Sequence, residues 1–376
     1  MSTHENPFRY GVPVEGKYYF PLPGFSKHIR SYLDNRINVI LYGPRRFGKT
    51  SFILDLIDEQ EKQGMKCLHI DVYNITSHLD FLQQIIRGLN KKQSWAKKIL
   101  SKYRHFKMLP TAEIDPITGQ QSYTLKPDFT STEDIKVTIQ NTFSEIGKLD
   151  KRVLVAIDEF QKISQLEDSN WLAHTVRTQM QELKNTVFLF SGSKKTVLYD
   201  MNNNQNNPFY KSCQLLDMPI LVEDFTDWVI ERFKSVKIDC DKKAIIELRK
   251  LVHDTPNYVQ QVCFHIVAMQ NISHVGRSEV ERALHTIVKQ NAYAFETLLS
   301  SLTLLQQRAL RLCANEPEAI FSKKYIKKYE ITSGPALAAT INSLKQKGIL
   351  DPGAALVRGQ VIFDDPLFKI WLKKEL

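Results

Sequence analysis

No stretch of this 376-residue chain approaches the roughly 18 uninterrupted apolar residues that a membrane-crossing helix needs, so no membrane partner is expected. Cysteine is scarce and scattered: Cys67, Cys213, Cys240, Cys263 and Cys313 form no CxxC pair and no cluster with histidine. That argues against a zinc site or a disulfide framework and fits a reducing cytoplasm. Repeats of fixed period are absent. So are Gly/Ser-rich and Pro-rich linkers, and the asparagines at 202–204 and 206–207 are the one low-complexity patch. The opening Met1-Ser-Thr-His-Glu-Asn-Pro7 has no basic segment followed by an apolar core, so no secretory signal is expected there. There is no acidic excess either: 51 Lys and Arg face 41 Asp and Glu, a net charge of +10. That balance permits nucleic acid, nucleotide or acidic-surface partners without choosing among them. Hydrophobic residues at 43% and charged residues at 24% are ordinary for a globular protein and exclude disorder or collagen. The length predicts two to three domains.

Four short apolar runs stand out. They are Asn38–Tyr42, Lys66–Tyr73, Arg152–Ile157 and Thr186–Phe190, each bounded by polar residues. Strands buried on both faces of a parallel sheet read this way, and the intervals between them are long enough for crossover helices. The expectation is an α/β layered core over residues 1–220. Within it, Ala112–Asp115 and Ser122–Leu125 flank Pro116-Ile-Thr-Gly119 and fit either a β-hairpin or a plain surface loop.

Past residue 220 the apolar spacing turns helical, in Val222–Val236, Asp241–Val252, Tyr258–Met269 and Ser278–Tyr293. A helical subdomain is expected over 221–297. From 298 to 376 three more helical patterns follow: Thr303–Ala314, Ser322–Lys328 with Ser322 as N-cap, and Ser333–Gln346 closed by Gly348. Short apolar pieces at 349–350, 356–357 and 360–363 surround a Pro352-Gly353 turn. Three helices and a two-stranded wing predict a winged helix-turn-helix.

The chemistry is concentrated in two places. Gly43-Pro44-Arg45-Arg46-Phe47-Gly48-Lys49-Thr50 matches G-x-x-x-x-G-K-[ST]. Such a loop turns tightly enough for successive amides, and for the helix opening at Ser51, to hold phosphate oxygens. Lys49 adds a positive charge at the β- and γ-phosphates, and Thr50 an oxygen for Mg²⁺. The second place is Asp158-Glu159, after the apolar Val153–Ile157. Asp158 suits the metal's surroundings, and Glu159 suits orienting and deprotonating a water for attack on the γ-phosphate. The fourth run ends in Ser191-Gly192-Ser193, where either serine could sense that phosphate or the turn could be merely structural. Ser193 is taken into the catalytic set with Glu159 and Lys49.

These motifs, with Asn207-Pro-Phe-Tyr210, the opening Asn6-Pro-Phe-Arg-Tyr-Gly11 and the closing Asp364-Asp-Pro-Leu-Phe-Lys-Ile-Trp-Leu372, resemble the archaeal-type ATPases, part of the wider AAA+/STAND group of P-loop NTPases. The resemblance spans nearly the whole chain. It implies an ATP-binding core, a helical lid, a C-terminal winged helix, ATP and Mg²⁺ as ligands, and self-association. It does not carry over a biological role, since members are similar both to replication-origin ATPases and to signalling ATPases. The lid-like segment Asp254-Thr-Pro-Asn-Tyr-Val-Gln-Gln261 departs from the AAA+ pattern in having no arginine, which leaves Pro256, Asn257 or the backbone to meet a nucleotide. Arg177 is expected in a surface salt bridge rather than as an arginine finger.

Two basic stretches bear on partners. Residues 91–107 carry seven Lys and Arg and no acid, with Trp95, Tyr103 and Phe106 interleaved. They fit either a phosphate-binding, base-stacking surface or a solvated helix packing its aromatics inward. Residues 297–376 carry twelve basic and seven acidic residues, with Lys323, Lys324, Lys327 and Lys328 on the second helix and Arg358 in the wing. The third helix begins Ser333-Gly-Pro-Ala-Leu-Ala-Ala-Thr340, without Arg, Lys, Asn or Gln to read base edges. DNA contact through the backbone and binding of a protein effector are therefore both expected uses. The leading expectation is an ATP-hydrolysing switch coupled to DNA or protein, with a signalling ATPase or a non-hydrolysing ATP sensor as rivals.

Overall fold

The computed structural model describes residues 5–91, 95–100, 108–114, 121–127, 131–193, 195–221, 224–351 and 361–374. Most of the basic stretch 91–107, the Pro116–Gly119 turn and the wing tip with Pro352, Gly353 and Arg358 lie outside these residues. The chain forms two compact units. A sheet unit comprises Pro21–Gly43 and Phe52–Met218, and a helical unit comprises Met1–Phe20, Pro44–Ser51 and Pro219–Leu376.

The sheet unit is built on five parallel strands: β1 (Val39–Tyr42), β2 (Lys66–Asp71), β5 (Val153–Asp158), β6 (Thr186–Gly192) and β7 (Gln214–Asp217), in the order β2-β5-β6-β1-β7. Every residue of β5 and of β6 is buried, as expected of strands covered on both faces. The four apolar runs read from the sequence are β1, β2, β5 and β6. The edge strand β7 leaves no such signal because it is four residues long, lacks β-branched residues and is only half-buried. Between β2 and β5 in the chain lies an antiparallel pair, β3 (Met108–Ile114) and β4 (Gln121–Pro127), in which Ile114 is paired with Gln121. Of the two readings of that insert, the hairpin is the one realised.

Phenylalanines dominate the sheet unit's core. Phe160, Phe188, Phe190 and Phe209 are fully buried, and the Phe160 and Phe190 rings lie 4.2 Å apart. Each contributes about 1.5–3 kcal/mol by burial. Phe209 seats the Asn207–Tyr210 segment in this cluster. Arg177, expected in a salt bridge, instead donates its Nε to the Pro208 carbonyl at 3.1 Å and ties the same segment down.

In the helical unit the expected helices are present as Asp224–Ser235, Lys242–Leu251, Pro256–Val267 and Arg277–Ser300. The last runs 24 residues, well past the expected end near 293. Two-residue strands β8 (Asp239–Cys240) and β9 (His274–Val275) pair in parallel here, too short to register in a periodicity. The winged-helix helices are Leu304–Asn315, Lys323–Lys328 and Gly334–Gln346. Thr303 and Ser333 cap the first and third through their side chains, and Gly348 takes φ +71° after the third. Leu350 bridges antiparallel to Phe363 at the base of the wing. A closing helix, Pro366–Lys374, buries Leu367, Phe368, Trp371 and Leu372 in the same core. The opening segment belongs to this unit too: Phe8 is buried 4.8 Å from the Phe233 ring, and Asn6 donates to the Phe264 carbonyl at 3.0 Å.

Candidate functional site

The C-terminal edge of a parallel sheet is where open α/β folds bind ligands, because strand ends and helix N-termini converge there. Register places several of the sequence-selected residues on that edge. Tyr42, the last residue of β1, is paired with Gly192 of β6 and with Asp217 of β7, and Leu41 with Ser191. Ile157 is paired with Phe190, so Asp158 ends β5 beside Ser191. Asp158 also pairs with Asp71 at the end of β2.

Asp158 is 2% exposed, and its Oδ1 accepts from both the Ser191 hydroxyl and the Glu159 amide, the latter at 2.9 Å. Those donors orient the carboxylate. The backbone then turns at Glu159 into the left-handed region, φ +57° and ψ +36°, before a 3-10 helix over Phe160–Gln165. A non-glycine residue there costs about 1–3 kcal/mol and is kept where its surroundings impose it. Those surroundings are visible. Gln161 donates through Nε2 to Glu159 Oε2 and, at 3.4 Å, to Ser193 Oγ, and Ser193 donates to the same Glu159 oxygen at 3.3 Å. The two serines thus separate: Ser191 serves the aspartate and Ser193 the glutamate. No sequence motif marks Gln161. Its position two residues past the carboxylate pair is the available signal, but a turn is needed to bring its amide back.

Asp71 is a further acid that no motif marks. Loss of solvent around it and then the Asp158 carboxylate push its pKa above the usual value, while the Tyr73 amide, donating to Oδ1 at 2.9 Å, opposes them.

The glycine-rich loop leaves β1 at Gly43, whose amide donates to the Gly192 carbonyl at 3.3 Å. Residues 44–51 belong to the helical unit. Gly48 has φ +84° and Arg46 φ +65°, so the loop makes two left-handed turns before the helix Lys49–Lys62. Lys49 is only 5% exposed and donates to the Pro44 carbonyl at 2.9 Å. A buried ammonium in the first turn, beside a positive helix end, is a donor set suited to an anionic oxygen. Thr50 follows in the same turn. Ser51, also buried, accepts from the Val14 amide at 2.9 Å and so anchors the N-terminal segment. Pro44, Arg45 and Arg46 are exposed and Phe47 is half-buried.

The lid-like segment lies against this loop. The Asn257 amide donates to the Arg46 carbonyl at 3.4 Å, and the Arg46 guanidinium sits 4.9 Å from the Tyr258 ring centroid. On the winged-helix side, Lys328 is paired with Glu316 at 3.1 Å, which raises its pKa, while Lys323, Lys324 and Lys327 occupy the same exposed helix. The Ser333 hydroxyl oxygen caps its own helix, accepting from the Ala336 amide at 3.3 Å.

Burial pushes the Cys213, Cys240 and Cys313 thiols up to about 12, so none is a ready nucleophile. Among the described residues no cluster of three His, Cys, Asp or Glu could cage a metal, and no helix is long and apolar enough to cross a membrane.

A parallel-sheet α/β core with a glycine-rich loop after its first strand, an Asp-Glu pair at the end of β5, one strand removed from β1, and a C-terminal winged helix defines the P-loop ATPase class. The chain belongs to the family of ATPase domains found predominantly in Archaea, which matches residues 27–262, and residues 293–374 match a probable winged helix domain. A Walker-type ATPase of Pyrococcus abyssi is similar in fold, with TM-score 0.63, 18% identity, and 95% of this chain and 97% of that one covered. The ORC2 protein of Aeropyrum pernix, in ADPNP–ADP complexes, has TM-score 0.52 and 14% identity, covering 94% and 93%. The ORC1 protein of the same organism, in complex with DNA, has TM-score 0.50 and 13% identity, covering 95% and 93%. No curated protein matches the sequence.

Proposed function

We propose that this protein hydrolyses ATP with Mg²⁺ and uses the cycle as a switch. The observation that carries the proposal is the hydrogen-bonded set Asp158, Glu159, Gln161, Ser191 and Ser193 at the ends of β5 and β6, the latter paired with β1, the strand that feeds the glycine-rich loop. In this reading the amides of Gly43–Thr50 and the opening of the helix at Ser51 cradle the phosphates, and Lys49 neutralises their charge. Thr50 and Asp158 would hold Mg²⁺, which would offset the negative charge of the phosphates. Glu159 accepts the proton of the attacking water, and Gln161 with Ser193 fixes which carboxylate oxygen faces it.

The proposed division of labour follows the chain: an AAA+-like core over 1–220, a lid over 221–297 and a winged helix over 298–376. The winged helix carries the output, to DNA backbone or to a protein effector, in the cytoplasm and in a self-associating form. Backbone contact through Lys323, Lys324 and Lys327 is favoured over base reading, because the helix start Ser333–Thr340 carries no Arg, Lys, Asn or Gln for base edges.

Purified protein titrated with ATP and assayed for phosphate release tests the core of this. Lys49→Ala abolishes binding, and Glu159→Gln keeps binding while losing about 10²–10⁴ in turnover. Unchanged ATP affinity in Lys49→Ala rejects the reading. Fluorescence anisotropy with DNA, with and without ATP, separates the DNA output from the protein one.

A further inference from the structure

Arg46 is tied at three points, to Asn257, Tyr258 and Asp365 of the same helical unit. Its backbone is left-handed at φ +65°, a conformation that a side chain disfavours. Its carbonyl accepts from the Asn257 amide, and its guanidinium lies over the Tyr258 ring. The same guanidinium donates through Nη1 to Asp365 Oδ2 at 3.2 Å.

Asp365 is itself held. It stands just before the closing helix Pro366–Lys374, and its Oδ1 accepts from the Leu367 amide at 2.9 Å. One carboxylate therefore caps a helix with one oxygen and grips the loop arginine with the other. Burial raises the pKa of its neighbour Asp364, and the charges of Arg45 and Arg46 oppose that rise. The Asp364-Asp365-Pro366 motif, to which sequence alone assigns no role, thereby supplies the carboxylate that holds the loop residue Arg46. The compact division of the chain agrees, for it groups Pro44–Ser51 with residues 219–376 and not with the sheet from which the loop emerges.

We infer that Asp365 is a positioning residue for the phosphate loop, holding Arg46 in the left-handed turn that aims the loop amides at a nucleotide, so that nucleotide affinity and winged-helix docking are thermodynamically linked. The inference rests on the reading of Gly43–Thr50 as a nucleotide site. The physical argument is short. A loop that must adopt an unfavourable turn binds more tightly when that turn is already imposed. Linkage then requires the reverse: nucleotide that orders the loop must strengthen the Arg46–Asp365 pair by the same factor.

Asp365→Asn separates this role from folding, because asparagine caps helices as well as aspartate does but cannot form the ion pair. MgADP titrated calorimetrically into the full-length protein reads the effect without turnover. The dissociation constant rises about fivefold or more in Asp365→Asn. In an Arg46→Gly background, where glycine adopts the turn freely, the same substitution has less than about a twofold effect. Hydrogen exchange completes the test: MgADP increases amide protection over 366–374 in the wild type and not in Asp365→Asn. Affinity equal to wild type in Asp365→Asn, with Lys49→Ala still losing binding, overturns the inference and leaves the nucleotide reading standing. Absence of MgADP binding to the wild type overturns both.

Discussion

A Cβ at Gly192 would collide with Oε1 of Gln161 and lie 2.9 Å from Leu198 Cδ1. The strand end is thus open to the glutamine only because it carries no side chain. Gln161 cannot simply swing aside, since it is 2% exposed and its amide serves Glu159 and Ser193. Gly192→Ala is therefore expected to cost about 1–3 kcal/mol of stability by crowding. It should lower turnover as far as deletion of the Gln161 side chain does. The double variant should be no worse than either single one, because both break one network. Additive losses in phosphate-release kinetics would separate the two residues.

Gln161→Ala leaves Glu159 and Ser193 without their shared donor. With Glu159 as the proposed base, the expectation is a fall of about 10- to 100-fold in kcat with KM little changed, since misplacing that base would affect the chemical step and not phosphate binding. A matching rise in KM would point instead to damage in the binding loop.

Stability should decline on mild acidification. Burial first, then the ammonium of Lys369, pushes the His253 imidazole below its usual value; Asp254 opposes and Lys373 adds to the effect. Burial likewise lowers His78 and His265. The unfolded chain thus takes up protons at a higher pH than the folded one. Stability is lost as pH falls through the unfolded value of about 6.5 and levels off below the folded value. Denaturant midpoints at about pH 7.5 and about pH 5.5 should differ, and His253→Asn, which tolerates the left-handed backbone there, should narrow the gap. An unchanged gap in the variant would assign the effect to the other histidines.

If the winged helix grips nucleic acid, replacing Lys323, Lys324 and Lys327 by glutamine should weaken DNA binding uniformly across sequences. The slope of log affinity against log salt should flatten by about one for each phosphate that is no longer neutralised. Lys328→Gln should matter less, as its charge is already paired with Glu316. A DNA-independent, ATP-driven increase in mass would favour a protein output.

Thr303 and Gln306 form a reciprocal capping box at the start of the winged-helix domain, with the Thr303 amide donating to Gln306 Oε1 at 3.1 Å and the Gln306 amide to Thr303 Oγ1 at 3.3 Å. Thr303→Ala should cost about 1 kcal/mol, read as a shift in denaturation midpoint with nucleotide affinity little altered.

Local rules made much of this protein legible before folding. The apolar runs of β1, β2, β5 and β6, the helix start at Ser322, whose side chain makes no capping bond, and the turn at Gly348 each depend on a handful of adjacent residues. The loop Gly43–Thr50 and the pair Asp158-Glu159 could be singled out as candidates for the same reason: their motifs occupy consecutive positions. What tertiary structure alone decided are the partnerships at a distance. Ser191 goes to Asp158 and Ser193 to Glu159 because β5 and β6 are neighbours in register, and strand order is not encoded in any local period. Gln161 joins them through a left-handed turn at a glutamate, which propensity alone would not place there. Arg46 meets Asp365 across 319 positions of sequence because packing, not periodicity, brings the closing helix to the loop.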